Sequence, residues 1–459
     1  MPIRSLNNLL KLFTGCFLLM ILAGGFFQVL WAPSLATSVG NPRVQLAREQ
    51  ILRGGIFDYS GRALALPGDH QMRYVGPISL AAIVGYSDLI LGQSGLEKAY
   101  DRVLLGLDGL SFYLYQWRVH QGQSHYGGHI ITTIDYAMQR IAEEALGQRK
   151  GAVVILEPKS GAIRALVSFP SFDPNRVYEK WSFLRDDKDA PLLHRAVQGL
   201  YPPGSVFKML ILAAALEEGG VRLDTTYIDQ GEFRVEGYRL TNAYTTQPGP
   251  ITLMQAFANS SNVIFAQLAL ELGENKLFDY VDRFGFGNLQ GLRVATSPAR
   301  IFPPGSKAEL VQFAIGQGNQ LVTPLDIAVL TATIATGGLQ FKAFLVQELV
   351  DSFGGRRQHV KAMPERVLSS FTSYQVTRAM LGVVENGTGT RAQVKGVSIA
   401  GKTGSAENPH GKPHAWFTCF APADDPQLVV TVIVENAGSG GQVAAPIAQE
   451  ILGRLLGGG

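Results

Sequence analysis

Ser205-Val206-Phe207-Lys208 follows Tyr201-Pro202-Pro203-Gly204, so the serine falls at the start of a helix and the lysine one turn on. Side chains three apart on a helix have Cβ atoms roughly 5 to 6 Å apart on one face, which brings an amine within reach of the hydroxyl. That pairing suits an activated serine nucleophile. A free lysine, with a pKa of about 10.4, is protonated and takes no proton, so the site must desolvate it or bring up a second cation. Lys402, at the head of Lys402-Thr403-Gly404, is the candidate for that cation. The helix N-terminus at Ser205 also offers unpaired N–H groups and a positive dipole end to an oxyanion.

In isolation Ser205 and Lys208 are an ordinary helix start, because one SxxK is expected by chance in a chain of this composition. The other two elements have decoys. Ser260-Ser261-Asn262 is matched by Ser5-Leu6-Asn7, and Lys402-Thr403-Gly404 by Lys159-Ser160-Gly161. Context separates them: Ser5 to Asn7 precedes an apolar run, Lys159 to Gly161 reads as a hairpin turn, and Lys402 follows an apolar strand with Gly401 and Gly404 permitting close backbone approach. Pro303-Pro304-Gly305-Ser306 echoes the approach to Ser205 without a lysine three on, and reads as a loop. His410 and His414 are expected as loop and strand-start residues, and Trp416 and Phe417 as core or cleft wall.

The elements that must position these residues follow from pattern. GAVVILEP (151–158) and AIRALVS (162–168) are two apolar runs joined by Lys159-Ser160-Gly161, a hairpin, and LRGGIFDYSGRALAL predicts another around Asp58 to Gly61. Helical patterns run over 206–218, stopping at Gly219-Gly220, and over 253–273. Strands return at 397–401, 414–422 and 428–436, and a helix over 443–456 closes the sequence. Hairpin, helices, three-strand meander and terminal helix predict an α+β fold with a largely antiparallel sheet and flanking helices.

Composition narrows the class. The 459 residues are 46% hydrophobic and 17% charged, which excludes a disordered chain, and a net charge of +3 without any basic block argues against nucleic acid as a partner. Two cysteines, Cys16 and Cys419, with neither CxxC nor HExxH, support neither a disulfide framework nor a zinc site, so no metal and no cofactor is expected. Leu12 to Ala32 (LFTGCFLLMILAGGFFQVLWA) runs without a charge for about 30 Å as a helix, enough to span a bilayer. A cleaved signal peptide ending near Ser34-Leu35-Ala36 is the competing reading, but its apolar region would be shorter. The expectation is an uncleaved anchor with a short cytoplasmic tail and the rest of the chain outside.

SxxK, then SxN, then KTG is the order found in penicillin-binding proteins and serine β-lactamases. LRGGIFDYSGRALA, ITTIDYAMQ (131–139), GAVVILEPKSGAIRALVSFPSFDPN (151–175), RAVQGLYPPGSVFK (195–208), IGQGNQLVTPLDIA (315–328) and ENGTGTRAQVKGVSIAGKTGSAE (385–407) resemble successive blocks of class B penicillin-binding proteins. The short first domain, with HAWFTCFAP and VENAGSGGQVAAPIAQEIL, most resembles the penicillin-binding protein A subgroup. The resemblance implies a peptidoglycan D,D-transpeptidase with a transpeptidase or serine β-lactamase-like domain. It divides the chain into a cytoplasmic tail (1–11), a transmembrane anchor (12–32), a pedestal- or dimerisation-like N-terminal domain (33–149) and a transpeptidase domain (150–459).

By the same resemblance Ser205 would attack the carbonyl between the terminal D-alanines of a stem peptide, and Lys208 would take its proton. Ser260 would relay a proton to the leaving amine with Lys402 assisting, and Asn262 would bind the substrate amide and orient Lys208. Lys402, Thr403 and Ser405 would hold the terminal carboxylate, with Gly404 in the substrate-binding strand. Ser405 stands where many relatives have threonine, which keeps the hydroxyl. β-Lactams would enter by the same attack and stay. The interval between span and SxxK domain is too short for an added glycosyltransferase domain. Glycan strands would then come from a partner, and by the resemblance that partner would be a polytopic glycosyltransferase of the shape, elongation, division and sporulation family, contacted at the cell membrane through the span and the first domain. A membrane-bound β-lactam sensor would carry several spans and a cytoplasmic zinc protease. A β-lactamase or D,D-carboxypeptidase would need neither the anchor nor the first domain.

Overall fold

The charge-poor N-terminus forms one helix, α1 (Pro2–Phe26), of which Leu6–Phe26 is long and apolar enough to cross a membrane. The apolar helical stretch thus starts at Leu6 where the sequence suggested Leu12. The computed structural model describes residues 2–27, 31, 51–68, 73–88, 90–109, 111–243, 248–360, 362–409 and 411–457. Part of the expected anchor, residues 28–30 and 32, and His410 lie outside them.

The predicted hairpin around Asp58 forms: strands Ile56–Phe57 and Ala63–Ala65 pair antiparallel, and Asp58 Oδ1 accepts from the N–H groups of Ser60 and Arg62 to close the turn. Their sheet has five strands, in the order 356–358, 346–350, 129–132, 56–57, 63–65, so two of its strands arrive from far downstream. Beside it a buried charge network ties Arg53 to Glu97 and Asp101 and Arg73 to Glu97.

The second sheet carries the site. After α2 (Tyr136–Leu146) come β1 (Gly151–Glu157) and β2 (Ala162–Phe169), paired as the predicted hairpin. Helices α3 (Lys208–Glu217), α4 (Leu253–Ala258), α5 (Asn262–Leu272), α6 (Pro324–Ala335) and α7 (Ser370–Glu385) follow. The chain then returns as the meander β3 (Ala400–Ala406), β4 (His414–Ala421) and β5 (Leu428–Val434) and ends in α8 (Gly440–Leu456). The strand order is β3-β4-β5-β1-β2, antiparallel throughout.

These strands are near-continuous apolar runs because helices cover both faces. Val154, Leu156, Leu166, Trp416 and Val429 point to the side of α3, α5 and α6, while Val153, Ile155, Val167, Phe417 and Val430 point to α2 and α8. The antiparallel α+β architecture expected from the sequence is present. One sheet edge, β3, is left without a further strand among the described residues, and the chemistry-bearing residues gather there.

Candidate active site

Ser205 sits in a 3-10 turn, Gly204–Phe207, that runs directly into α3, so the serine lies just ahead of the α-helix and not on its first turn. Gly204 precedes it at φ +56°, a left-handed backbone that glycine adopts without steric penalty. The approach to the serine is pinned on several sides. Gly204 donates its N–H to the Gly316 carbonyl at 2.8 Å, and Tyr201 exchanges backbone hydrogen bonds with Val322. Trp416 Nε1 donates to the Pro202 carbonyl at 3.1 Å. Tyr201 Oη donates to Glu435 Oε1 at 2.7 Å, and the same oxygen pairs with Arg195 Nε at 2.8 Å.

The helical pattern over 253–273 is broken in the structure. α4 ends at Ala258, Ser260 takes φ +58°, and Ser261 caps α5 by accepting from the Ile264 N–H. The Ser-Ser-Asn segment is therefore a turn between two helices, because its short polar side chains satisfy backbone groups that a continuous helix would have used. The third motif also shifts: Lys402, Thr403, Gly404 and Ser405 lie within β3 itself, where the sequence placed them after a strand. Gly404 permits the close approach of β3 to the serine turn, since a Cβ there would stand 3.1 Å from Val206 Cγ1 and 3.3 Å from the Pro203 carbonyl oxygen.

All three motifs converge. Lys208 and Lys402 are each 0% exposed. Lys208 Nζ donates to the Ser260 carbonyl at 2.8 Å, to Asn262 Oδ1 at 2.8 Å and to Ser260 Oγ at 3.3 Å. Lys402 Nζ donates to the same Ser260 Oγ at 3.0 Å and to the Thr403 carbonyl at 3.0 Å. Ser260 Oγ is thus the shared acceptor of two buried amines. Each amine also lies 5.4 Å from an aromatic ring centre, Phe265 for Lys208 and Phe257 for Lys402.

Burial sets the charge. It pulls Lys208 well below the ordinary lysine range, the charge of Lys402 pushes the same way, and Asp229 opposes both. Burial alone brings Lys402 down to about 7. The sequence asked for desolvation of Lys208 or a neighbouring cation, and the site combines the two. Thr403 Oγ1 shares a 2.6 Å hydrogen bond with Thr388 Oγ1, and Ser405 Oγ accepts from the Gly440 N–H at 3.2 Å.

Above the two amines opens a cleft of about 360 Å³ lined by Ser205, Ser260, Asn262, Thr403, Gly404 and Ser405, with Arg239 and Glu407 among the charged groups on its walls. His414 begins β4 with its ring 5.5 Å from Tyr201, and Trp416 is fully buried. Sequence reasoning missed Glu435, Thr388, Asp229 and Asn242. Thr388 and Glu435 stand inside blocks already singled out, whereas no signal marks Asp229 or Asn242.

A serine open to a polar cleft, backed by an amine whose proton affinity burial lowers and a second amine joined to it through a hydroxyl, can make and break an acyl ester. The family model for the penicillin binding protein transpeptidase domain matches residues 151–453. The chain is 34% identical over 475 residues to a Mycolicibacterium smegmatis protein named peptidoglycan D,D-transpeptidase PbpA, with 94% of each chain covered. It is 32% identical over 492 residues to the Mycobacterium tuberculosis protein of that name, across 98% of this chain and 99% of the relative. Among solved structures, penicillin-binding protein A from M. tuberculosis in its imipenem acyl-enzyme complex aligns with a TM-score of 0.82 at 31% identity, over 89% of this chain and 99% of its own. Such agreement across the motifs, the sheet and nearly the full length makes this chain a member of the class B penicillin-binding protein transpeptidases.

Proposed function

We infer that the chain is a peptidoglycan D,D-transpeptidase that works through an acyl-enzyme on Ser205. The observation that carries this is the meeting of two fully buried lysines at Ser260 Oγ, at the floor of the cleft that Ser205 enters. Neutral Lys208 takes the Ser205 proton as Oγ attacks the carbonyl between two terminal D-alanines. The oxyanion lies between the N–H groups of Ser205 and Ser405. Ser260 passes a proton to the departing amine with Lys402 supplying charge, the terminal D-alanine leaves, and an ester remains on Ser205. Asn262 holds the substrate amide, while Lys402, Thr403 and Ser405 receive the terminal carboxylate beside Gly404. An amine of a neighbouring stem then attacks the ester, which restores the serine and forms the cross-link.

A β-lactam enters by the same attack and leaves a slowly hydrolysed ester on the serine. The apolar helix anchors the protein as a single span of the cell membrane, with the catalytic domain on the extracytoplasmic side. Because the reaction only joins stem peptides, glycan strands come from a partner, for which a polytopic glycosyltransferase of the shape, elongation, division and sporulation family is the proposed class. A fluorescent penicillin is expected to label the full-length protein covalently, and Ser205→Ala to abolish the label. Label retained in that variant overturns the assignment of the nucleophile.

A further inference from the structure

Asp229 and Asn242 lie beneath the Ser260 turn and take no part in the chemistry above. Asp229 ends the strand Thr226–Asp229, and Asn242 directly follows the strand Tyr238–Thr241. Asp229 is 1% exposed. Its Oδ2 accepts from Ser261 Oγ at 2.7 Å and its Oδ1 from the Gly231 N–H at 2.9 Å, while Asn242 Nδ2 donates to both oxygens at 3.0 Å. Asn242 in turn presents its Oδ1 to the N–H groups of Asn262 at 2.8 Å and Val263 at 3.2 Å.

A buried carboxylate is strongly destabilising unless hydrogen bonds replace its hydration, and here Ser261, Gly231 and Asn242 supply them. Its particular property is direction. An ionised carboxylate only accepts, so the neighbouring amide must turn its nitrogen to Asp229 and its oxygen to α5. That fixes the first N–H groups of α5. With the Asn262 backbone held there and its Nδ2 donating to the Thr241 carbonyl at 2.8 Å, Asn262 Oδ1 stands 2.8 Å from Lys208 Nζ and Ser260 Oγ lies between the two amines. The charged side chains around Lys208 in this arrangement are Lys402 and Asp229.

We propose that Asp229 and Asn242 act as a positioning pair that holds the Ser260–Asn262 turn in the geometry acylation requires. The proposal rests on the reading of Ser205 as nucleophile. In Asp229→Asn the new amide presents a donor where its partners are donors too. The Asn242 amide then loses its fixed direction, and Lys208 loses the negative charge that opposes its deprotonation.

The test is the second-order rate of acylation of the full-length, detergent-solubilised protein by a fluorescent penicillin, followed against pH beside the melting temperature. Asp229→Asn is expected to lower the plateau rate by about 10- to 100-fold, as for a displacement of about 1 Å at a catalytic group. It should also move the acid limb to lower pH. Asn242→Asp sets two carboxylates against each other and is expected to slow acylation likewise. The double variant Asp229→Asn/Asn242→Asp restores a donor–acceptor pair in reverse and recovers most of the rate. If Asp229→Asn does not fold, Ser261→Ala, which removes one donor from the carboxylate, is expected to give a smaller loss in the same direction. A lowered melting temperature with an unchanged rate per intact site and an unmoved acid limb overturns the proposal, as does Ser261→Ala at the wild-type rate. Failure of the wild-type chain to acylate at Ser205 instead overturns the functional reading beneath it.

Discussion

Replacing Lys402 by methionine is expected to end acylation and, at neutral pH, to stabilise the fold. In the unfolded chain the lysine has a pKa of about 10.4, whereas burial brings it down to about 7 in the structure. Across that window the unfolded chain holds more protons than the folded one, so this group makes stability rise with pH from about 7 to about 10.4. At pH 7 the burden is about 4 kcal/mol, at about 1.4 kcal/mol for each pKa unit. Methionine matches the length and removes the charge, but it loses the two hydrogen bonds that Lys402 donates, to the Thr403 carbonyl and to Ser260 Oγ, which keeps only Lys208 as donor; the loss costs about 2 kcal/mol.

The net gain at pH 7 is about 2 kcal/mol. With an unfolding entropy of about 0.6 kcal/mol/K for a domain of about 300 residues, that raises the melting temperature by about 3 °C. By pH 9.5 the wild-type penalty has fallen to about 1 kcal/mol, so the order reverses and the variant melts lower by about 1 to 2 °C. The assay is thermal unfolding of the full-length protein in detergent at pH 6.5, 8 and 9.5, with penicillin labelling measured in parallel. A variant several degrees less stable than wild type at pH 6.5, or a stability difference that does not change with pH, refutes the argument that the site holds its charge at the expense of stability.

The other perturbations concern the support of the serine turn. Glu435→Ala leaves the Arg195 guanidinium, 1% exposed, without its carboxylate. The expected loss is about 3 to 5 kcal/mol, read as a lower melting temperature together with slower penicillin labelling. Tyr201→Phe removes one 2.7 Å hydrogen bond and keeps the ion pair. It is expected to lose about 1 kcal/mol and to slow labelling less than Glu435→Ala does, and equal effects of the two would contradict the network as described.

What could be read from the sequence was local. The spacing of Ser205 and Lys208, the hairpin over 151–169, the meander and the terminal helix depend on neighbours in the chain, and each has its counterpart in the structure. The break at Ser260 was not legible, because the apolar periodicity continues across it while groups brought in by the fold, Asn242 at the first N–H groups of α5 and Lys208 at the Ser260 carbonyl, join Ser261 in holding the turn. Nor could pattern reveal that strands 346–350 and 356–358 join the N-terminal sheet, since strand 346–350 pairs there with strand 129–132, a partner far upstream in the chain. Complete burial of Lys208 and Lys402 is a tertiary property: the sequence asked only that Lys208 be desolvated or given a neighbouring cation, and residues from α4 and α5, Phe257 and Phe265 among them, stand against the two amines. Asp229 and Asn242, polar residues at and just after the ends of short strands in a polar segment, read as surface until the turn they hold is seen.

The central claim is that the ester on Ser205 is resolved by an amine. Mass spectrometry of the products from a D-Ala-D-Ala stem peptide, with and without an amine acceptor, tests it most directly. A transpeptidase gives a cross-linked product that requires the acceptor and is absent in Ser205→Ala. Release of D-alanine with only the trimmed donor, however much acceptor is supplied, would contradict it and make the protein a hydrolase.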